Sequence, residues 1–171
     1  MAEKPTFPTE VVELPSKGYF YPIDSPLSSG KVEMKYMTAK EEDILTSPNL
    51  IQQNIVIDKL LESLIVDKTI DMDDLLVGDK NALILSARIL GYGKDYEIVY
   101  LDDDANEQTT TIDLTTLNEL EIDTSKFKPG VNAFHFELPV SKQNITFQFM
   151  TGKIQKDISK YMLSVEKLKV D

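Results

Sequence analysis

The sequence predicts an α+β protein: an N-terminal strand pair with a helical cluster, then an antiparallel β-sheet with a C-terminal amphipathic helix. Three observations predict it. Apolar residues alternate with polar ones at Val32, Met34 and Tyr36, at Phe134, Phe136 and Leu138, and at Ile145, Phe147 and Phe149, the period of a half-buried strand. Ile57, Leu60, Leu61, Leu64 and Ile65 recur instead at the spacing of one helix face. Ile154, Ile158, Tyr161, Met162, Val165 and Leu168 repeat that helical spacing near the end of the sequence. Residues 1–9 read as a flexible arm. Residues 10–93 read as the strand pair with its helices, and 94–171 as the sheet with its closing helix, the two being separate parts or one continuous domain.

The first strand, Val11–Leu14, ends at Pro15. The second runs over Lys31–Met37. The loop between them is long for a compact domain, and loops of that length are usually functional or mobile. It holds Gly18, Pro22, Pro26 and Gly30, with Tyr19, Phe20 and Tyr21 at its centre. Those rings either pack beneath the loop or contact another protein. Packing is favoured, because aromatic side chains bury large areas wherever they can.

Thr38 and Glu41 fit a capping box that starts a short helix to about Thr46, and Ser47-Pro48 begins another turn. In the helix carrying Leu60 and Leu61, the residues Asp58, Lys59, Glu62 and Ser63 face away from the apolar side. Asp71, Asp73 and Asp74 suit a helical first turn, where the macrodipole favours negative charge. Asp79 can cap a helix over Lys80–Leu90, apolar on most of its circumference and therefore central, which Gly91 and Gly93 end.

Period two returns from Asp95. Tyr96–Leu101 is a strand, an acidic turn follows, and Thr109–Leu114 is the returning strand. Thr115–Ile122 reads as a helical turn and Lys126–Gly130 as a loop. The two phenylalanine-rich runs flank Ser141–Asn144 and make a hairpin. All four strands together are expected to form one antiparallel sheet with a phenylalanine-rich face. The closing helix would cover that face, or present its stripe to another chain.

Composition narrows the function. A net charge of −11, with lysines spread along the chain, argues against nucleic-acid binding. The absence of cysteine excludes disulfides, thiolate zinc sites and cysteine nucleophiles. The N-terminus lacks a secretory pattern, and no apolar run approaches the roughly 20 residues of a membrane span, so a soluble protein that is not exported and has no membrane partner is expected.

No catalytic, metal or cofactor set emerges. Asp102, Asp104 and Asn106, with Asp113 further on, echo a calcium loop, but Glu107 stands where the sharp turn needs glycine, and a solvated hairpin turn explains the same residues. His135, the sole histidine, alternates with phenylalanines on the polar side of a strand. Gly78-Asp-Lys-Asn81 lacks the spacing of a phosphate loop. Glu41 and Glu42 sit on an exposed first helical turn, without the burial that a general acid needs.

Glu13-Leu-Pro-Ser-Lys-Gly18 followed by Tyr21-Pro22 resembles the opening of the base-plate protein family of T4-like tailed phages. Val32–Leu45, Asp58–Asp67, Gly78–Ala82 and Ala87–Tyr96 continue the resemblance in order. It implies a non-enzymatic structural or assembly protein of the tail base plate, associated with its central hub. The implied partners are other base-plate or hub proteins, or a further copy of the chain. The implied location is the host cytoplasm during assembly and then the virion tail. Family members often continue past the equivalent of the closing helix, so this is a shorter member or lacks a C-terminal part. Pro15, Ser16, Lys17, Gly18, Tyr19, Phe20, Tyr21 and Pro22 are the candidate partner-binding residues, with the three rings as anchors. The alternatives are a transient tail-assembly chaperone that leaves before completion, and a metal-dependent enzyme built on the acidic loops.

Overall fold

The computed structural model describes residues 7–117 and 123–168. Strand β1 (Thr9–Glu13) pairs antiparallel with β2 (Lys31–Lys35), setting Val12 opposite Val32 and Glu10 opposite Met34. The alternation in β2 sends Val32 and Met34 into the core and Glu33 to solvent. The loop between the strands folds tightly enough that a Cβ on Gly18 would meet the Ser28 carbonyl oxygen at 2.3 Å, and Gly18 itself has φ +75°. Glycine is required there on both counts.

Helices α1 (Ala39–Thr46), α2 (Pro48–Gln52) and α3 (Val56–Leu64) follow. The expected capping box at Thr38 is present, with Glu41 accepting from the Thr38 N–H at 3.0 Å. Glu41 is nevertheless buried rather than exposed, because Lys35 and Ser63 also converge on it, at 2.7 and 2.6 Å. Burial raises its pKa, but the hydrogen bonds from Lys35, Ser63 and Thr38 outweigh that and hold it at about 2. Leu60, Leu61 and Leu64 form the buried face of α3, and Ile65 just beyond it bridges Met34. Asp58 and Ser63 do not face away as expected. Asp58 is buried between Lys80 and Lys156, and Ser63 reaches Glu41.

Helix α4 spans Val77–Tyr92, longer at both ends than expected. Asp79 lies inside its first turn and is not its cap. Only Leu83 and Ala87 of its hydrophobic residues are fully buried, so α4 forms one wall of the core and not its centre. Asp71 receives the Asp73 N–H in a turn that ends before the helix starts.

Strands β3 (Asp95–Leu101) and β4 (Glu107–Asp113) form a hairpin, as do β5 (Phe134–Glu137) and β6 (Asn144–Phe147). Helix α5 spans Gly152–Leu168. The α+β class is observed, but the single sheet is not: among the described residues each strand pair stands alone. The reason lies in β4, Glu-Gln-Thr-Thr-Thr-Ile-Asp, which offers little apolar surface to bury. Both faces of the β3–β4 hairpin are largely exposed. Of the expected helical turn at Thr115–Ile122, Leu114–Thr116 forms a short 3-10 turn, and 118–122 lies outside the described residues.

The closing helix does not cover the phenylalanine face either. Its start is tied to the chain before α4: the Gly152 N–H donates to the Leu75 carbonyl and the Lys153 N–H to that of Asp73. Lys156 then bridges Asp58 and Asp73 at 2.8 and 2.5 Å. At 100° per residue, Ile158 and Tyr161 fall on the side opposite Lys156. Tyr161 is 70 % exposed. No helix among the described residues is long and apolar enough to cross a membrane.

Candidate interaction surface

The loop Pro15–Pro22 is a run of consecutive tight turns. The N–H groups of Lys17, Tyr19 and Tyr21 donate to the carbonyls of Leu14, Ser16 and Gly18. Lys17 and Gly18 both take positive φ, 52° and 75°. What pins the loop is Asp79. Its carboxylate accepts the Ser16 N–H at 2.9 Å, the Ser16 hydroxyl at 2.6 Å and the Tyr21 hydroxyl at 2.6 Å. The Tyr21 oxygen in turn accepts the Leu76 N–H at 2.9 Å. Burial, and then the neighbouring Asp79 carboxylate, push the Tyr21 hydroxyl well above the usual phenol range, so it stays a donor.

This network decides where the candidate anchors go. Phe20 is 2 % and Tyr21 4 % exposed, so both rings belong to the core and are not surface anchors. Tyr19 is half-buried, its hydroxyl donating to the Phe127 carbonyl at 2.7 Å. Ser16 and Gly18 are buried, Pro15 is half-buried, and Lys17 and Pro22 face solvent. The loop therefore offers neighbours a rim and not a set of rings.

The rings nevertheless lead to a surface. Phe20 meets Phe149 with centroids 4.8 Å apart and Phe134 at 5.8 Å; Phe134 meets Phe147 at 5.3 Å. Such tilted and edge-on pairs are favourable beyond the area they bury. In the β5–β6 register Phe134 lies opposite Phe147 and Phe136 opposite Ile145, so these four share one face. Only Phe134 is buried; Phe136 is 51 % and Phe147 53 % exposed. Phe149, with its ring centroid 5.1 Å from that of Phe134, links this hairpin to an apolar cleft of about 250 Å³ whose walls also include Pro15, Phe20, Val77 and Met150. The Met150 carbonyl accepts the Val77 N–H at 2.9 Å and fixes one wall. The sequence pattern identified the phenylalanine face. That its cover is missing, and that Val77 and Met150 join it, has no local signal.

The residues that echoed a metal loop are used in turns. Asp102 Oδ1 accepts the Asp104 and Asn106 N–H groups, and its Oδ2 accepts from Gln108. Asp113 holds Thr115 and Lys94. His135 lies on the exposed polar face of β5, with Nδ1 2.9 Å from the Thr146 hydroxyl. Among the described residues no group of three or more histidines and carboxylates is placed to hold a metal ion.

Comparison with curated proteins and with solved structures gives no match. The family described as T4 bacteriophage base plate protein matches residues 9–167, from the first strand through nearly all of the last helix, and over that extent the match shows that this chain belongs to it.

Proposed function

We propose that the protein is a structural or assembly part of the base-plate hub, acting by contact with other base-plate proteins and without catalysis. It would meet them in the host cytoplasm during assembly and remain in the tail. The observation that carries this reading is the phenylalanine face of β5–β6, continuous with the core through tilted and edge-on ring contacts yet open to solvent. Exposed apolar patches next to a shaped cleft mark interaction sites. Covering the open half of one such phenylalanine, on the order of 100 Å², contributes about 2.5 kcal/mol. The rim of the 15–22 loop borders the same cleft and would help set the partner's orientation.

The test is a Phe136→Ser/Phe147→Ser double variant supplied to infected cells in place of the native chain. Native circular dichroism together with lost base-plate assembly is the expected result. Normal assembly by that variant would overturn the reading. Mass spectrometry of purified particles should find the native protein; its absence from complete particles would replace a virion part with a transient chaperone.

A further inference from the structure

A second surface combines apolar side chains with a cluster of lysines. A groove of about 620 Å³ opens beside β2, α1 and α3 and shares no lining residue with the phenylalanine cleft. Its apolar lining includes Ile44, Leu50, Ile65 and Val66. Lys35, Lys40, Lys59 and Lys68 also line it, against a single carboxylate, Glu62. In a chain of net charge −11, that is a local inversion of sign. Two of these cations already have partners: Lys35 meets Glu41 at 2.7 Å and Lys59 meets Glu62 at 2.6 Å.

Lys68 is different. Its ammonium donates to the carbonyls of Glu62, Ser63 and Ile65, at 2.6, 3.3 and 2.6 Å, which fixes it at the C-terminal end of α3. Burial, and then the charges of Lys35 and Lys40, lower its pKa. Its three N–H donors are engaged by those carbonyls, so Lys68 adds a fixed positive charge beside Lys40 that Glu41 and Glu62 offset only in part. Lys40 stands exposed in the first turn of α1 and makes no ion pair among the described residues.

We propose that this groove docks an acidic, amphipathic segment of another protein, with apolar side chains on the Ile44–Leu50–Val66 surface and a carboxylate on Lys40, within the positive field of Lys68. Charge complementarity selects an acidic partner, and the apolar surface selects a peptide. A nucleic-acid backbone would satisfy the lysines but leave that surface uncovered, and the rest of the chain would repel it. The groove stands independently of the phenylalanine face.

The experiment uses the full chain and a fluorescein-labelled peptide alternating leucine with aspartate and glutamate. Fluorescence anisotropy follows binding. The controls are its asparagine/glutamine counterpart, its leucine-to-serine counterpart and an oligothymidylate of equal charge. The acidic amphipathic peptide should bind, each control peptide at least about tenfold more weakly, with affinity falling as salt rises. Lys40→Glu should weaken binding by about tenfold or more, and it is safe for the fold because acidic residues suit a helix first turn. Phe136→Ser/Phe147→Ser should bind the peptide like the native chain, which separates this result from the fate of the hub reading. Equal binding by K40E, or no binding of the acidic peptide, would overturn the proposal. Tighter binding of the oligothymidylate would assign the groove to nucleic acid. A native dimer that K40E dissociates would assign it to a second copy; either result overturns the proposal.

Discussion

Removing the Asp79 carboxylate should release the aromatic loop from α4. The side chain is 1 % exposed and accepts three hydrogen bonds, two from Ser16 and one from Tyr21. A hydrogen bond to a charged acceptor contributes about 1.5–3 kcal/mol, so the gross loss is about 5–9 kcal/mol. The buried carboxylate itself was costly to desolvate, by several kcal/mol, and alanine recovers that. The net effect of Asp79→Ala is therefore about 3–5 kcal/mol, a large share of the ~5–15 kcal/mol that holds a typical domain together. Asp79→Asn keeps one acceptor oxygen, and the hydroxyls can rotate toward it, so about 1–2 kcal/mol is expected. Tyr21→Phe removes one donor and leaves the Leu76 N–H without its acceptor, at about 2 kcal/mol. Because Asp79 and Tyr21 share a hydrogen bond, the double variant should fall short of the summed losses by about 1.5 kcal/mol. Urea unfolding followed by far-UV circular dichroism measures the four variants and the native protein, with tyrosine fluorescence as a second probe in a chain that has no tryptophan. An Asp79→Ala protein within about 1 kcal/mol of the native one at equal m-value, or strictly additive losses, would refute the pinning role.

Other perturbations follow from the same geometry. Glu41 is held at about 2 against an ordinary 4.5, so its stabilisation is complete above pH 4.5 and lost as pH falls toward 2. The shift corresponds to about 3 kcal/mol, and urea midpoints across that window should flatten in Glu41→Gln; an unchanged pH dependence would contradict the buried ion pair. The β3–β4 hairpin packs little on either face, and isolated hairpins are marginal. Its amides should exchange far faster than those of α3, and replacing 95–113 with a short glycine-serine linker should lower Tm by only a few degrees; core-like protection of 95–113 would mean that something covers it. Gly18→Ala places a Cβ 2.3 Å from the Ser28 oxygen at φ +75°, whereas a Cβ at Gly93 meets nothing within 4 Å. The first should cost about 2 kcal/mol or more and the second about 1, both read by thermal unfolding; equal losses would show that conformation alone matters.

Much of the local structure was legible. The alternation of Val32 and Met34, the spacing of Leu60, Leu61 and Leu64, the Thr38–Glu41 box and the paired runs at 134–138 and 145–149 each mark an element present in the fold. These signals lie within one element, where backbone geometry alone sets which residues share a face. Some of the errors fell on charged residues, others on how the elements pack together. Glu41 and Asp58 looked solvent-facing, because their partners Ser63, Lys80 and Lys156 are remote in sequence.

The candidate site divides in the same way. Aromatic content in the 15–22 loop and in β5–β6 is visible residue by residue, and the loop and Phe149, just past β6, border one apolar cleft. Which rings are spent on the core is not visible, since that depends on Asp79 reaching back to Ser16 and Tyr21. The sequence by itself determined the elements, their class and the family to which they belong. Only the tertiary structure decided that the strands form separate pairs, that Lys156 turns the stripe of α5 outward, and that lysines gather around one groove of an acidic protein. Periodicity is a property of a few neighbouring peptides, whereas burial and electrostatic pairing depend on segments that meet only after the chain has closed on itself.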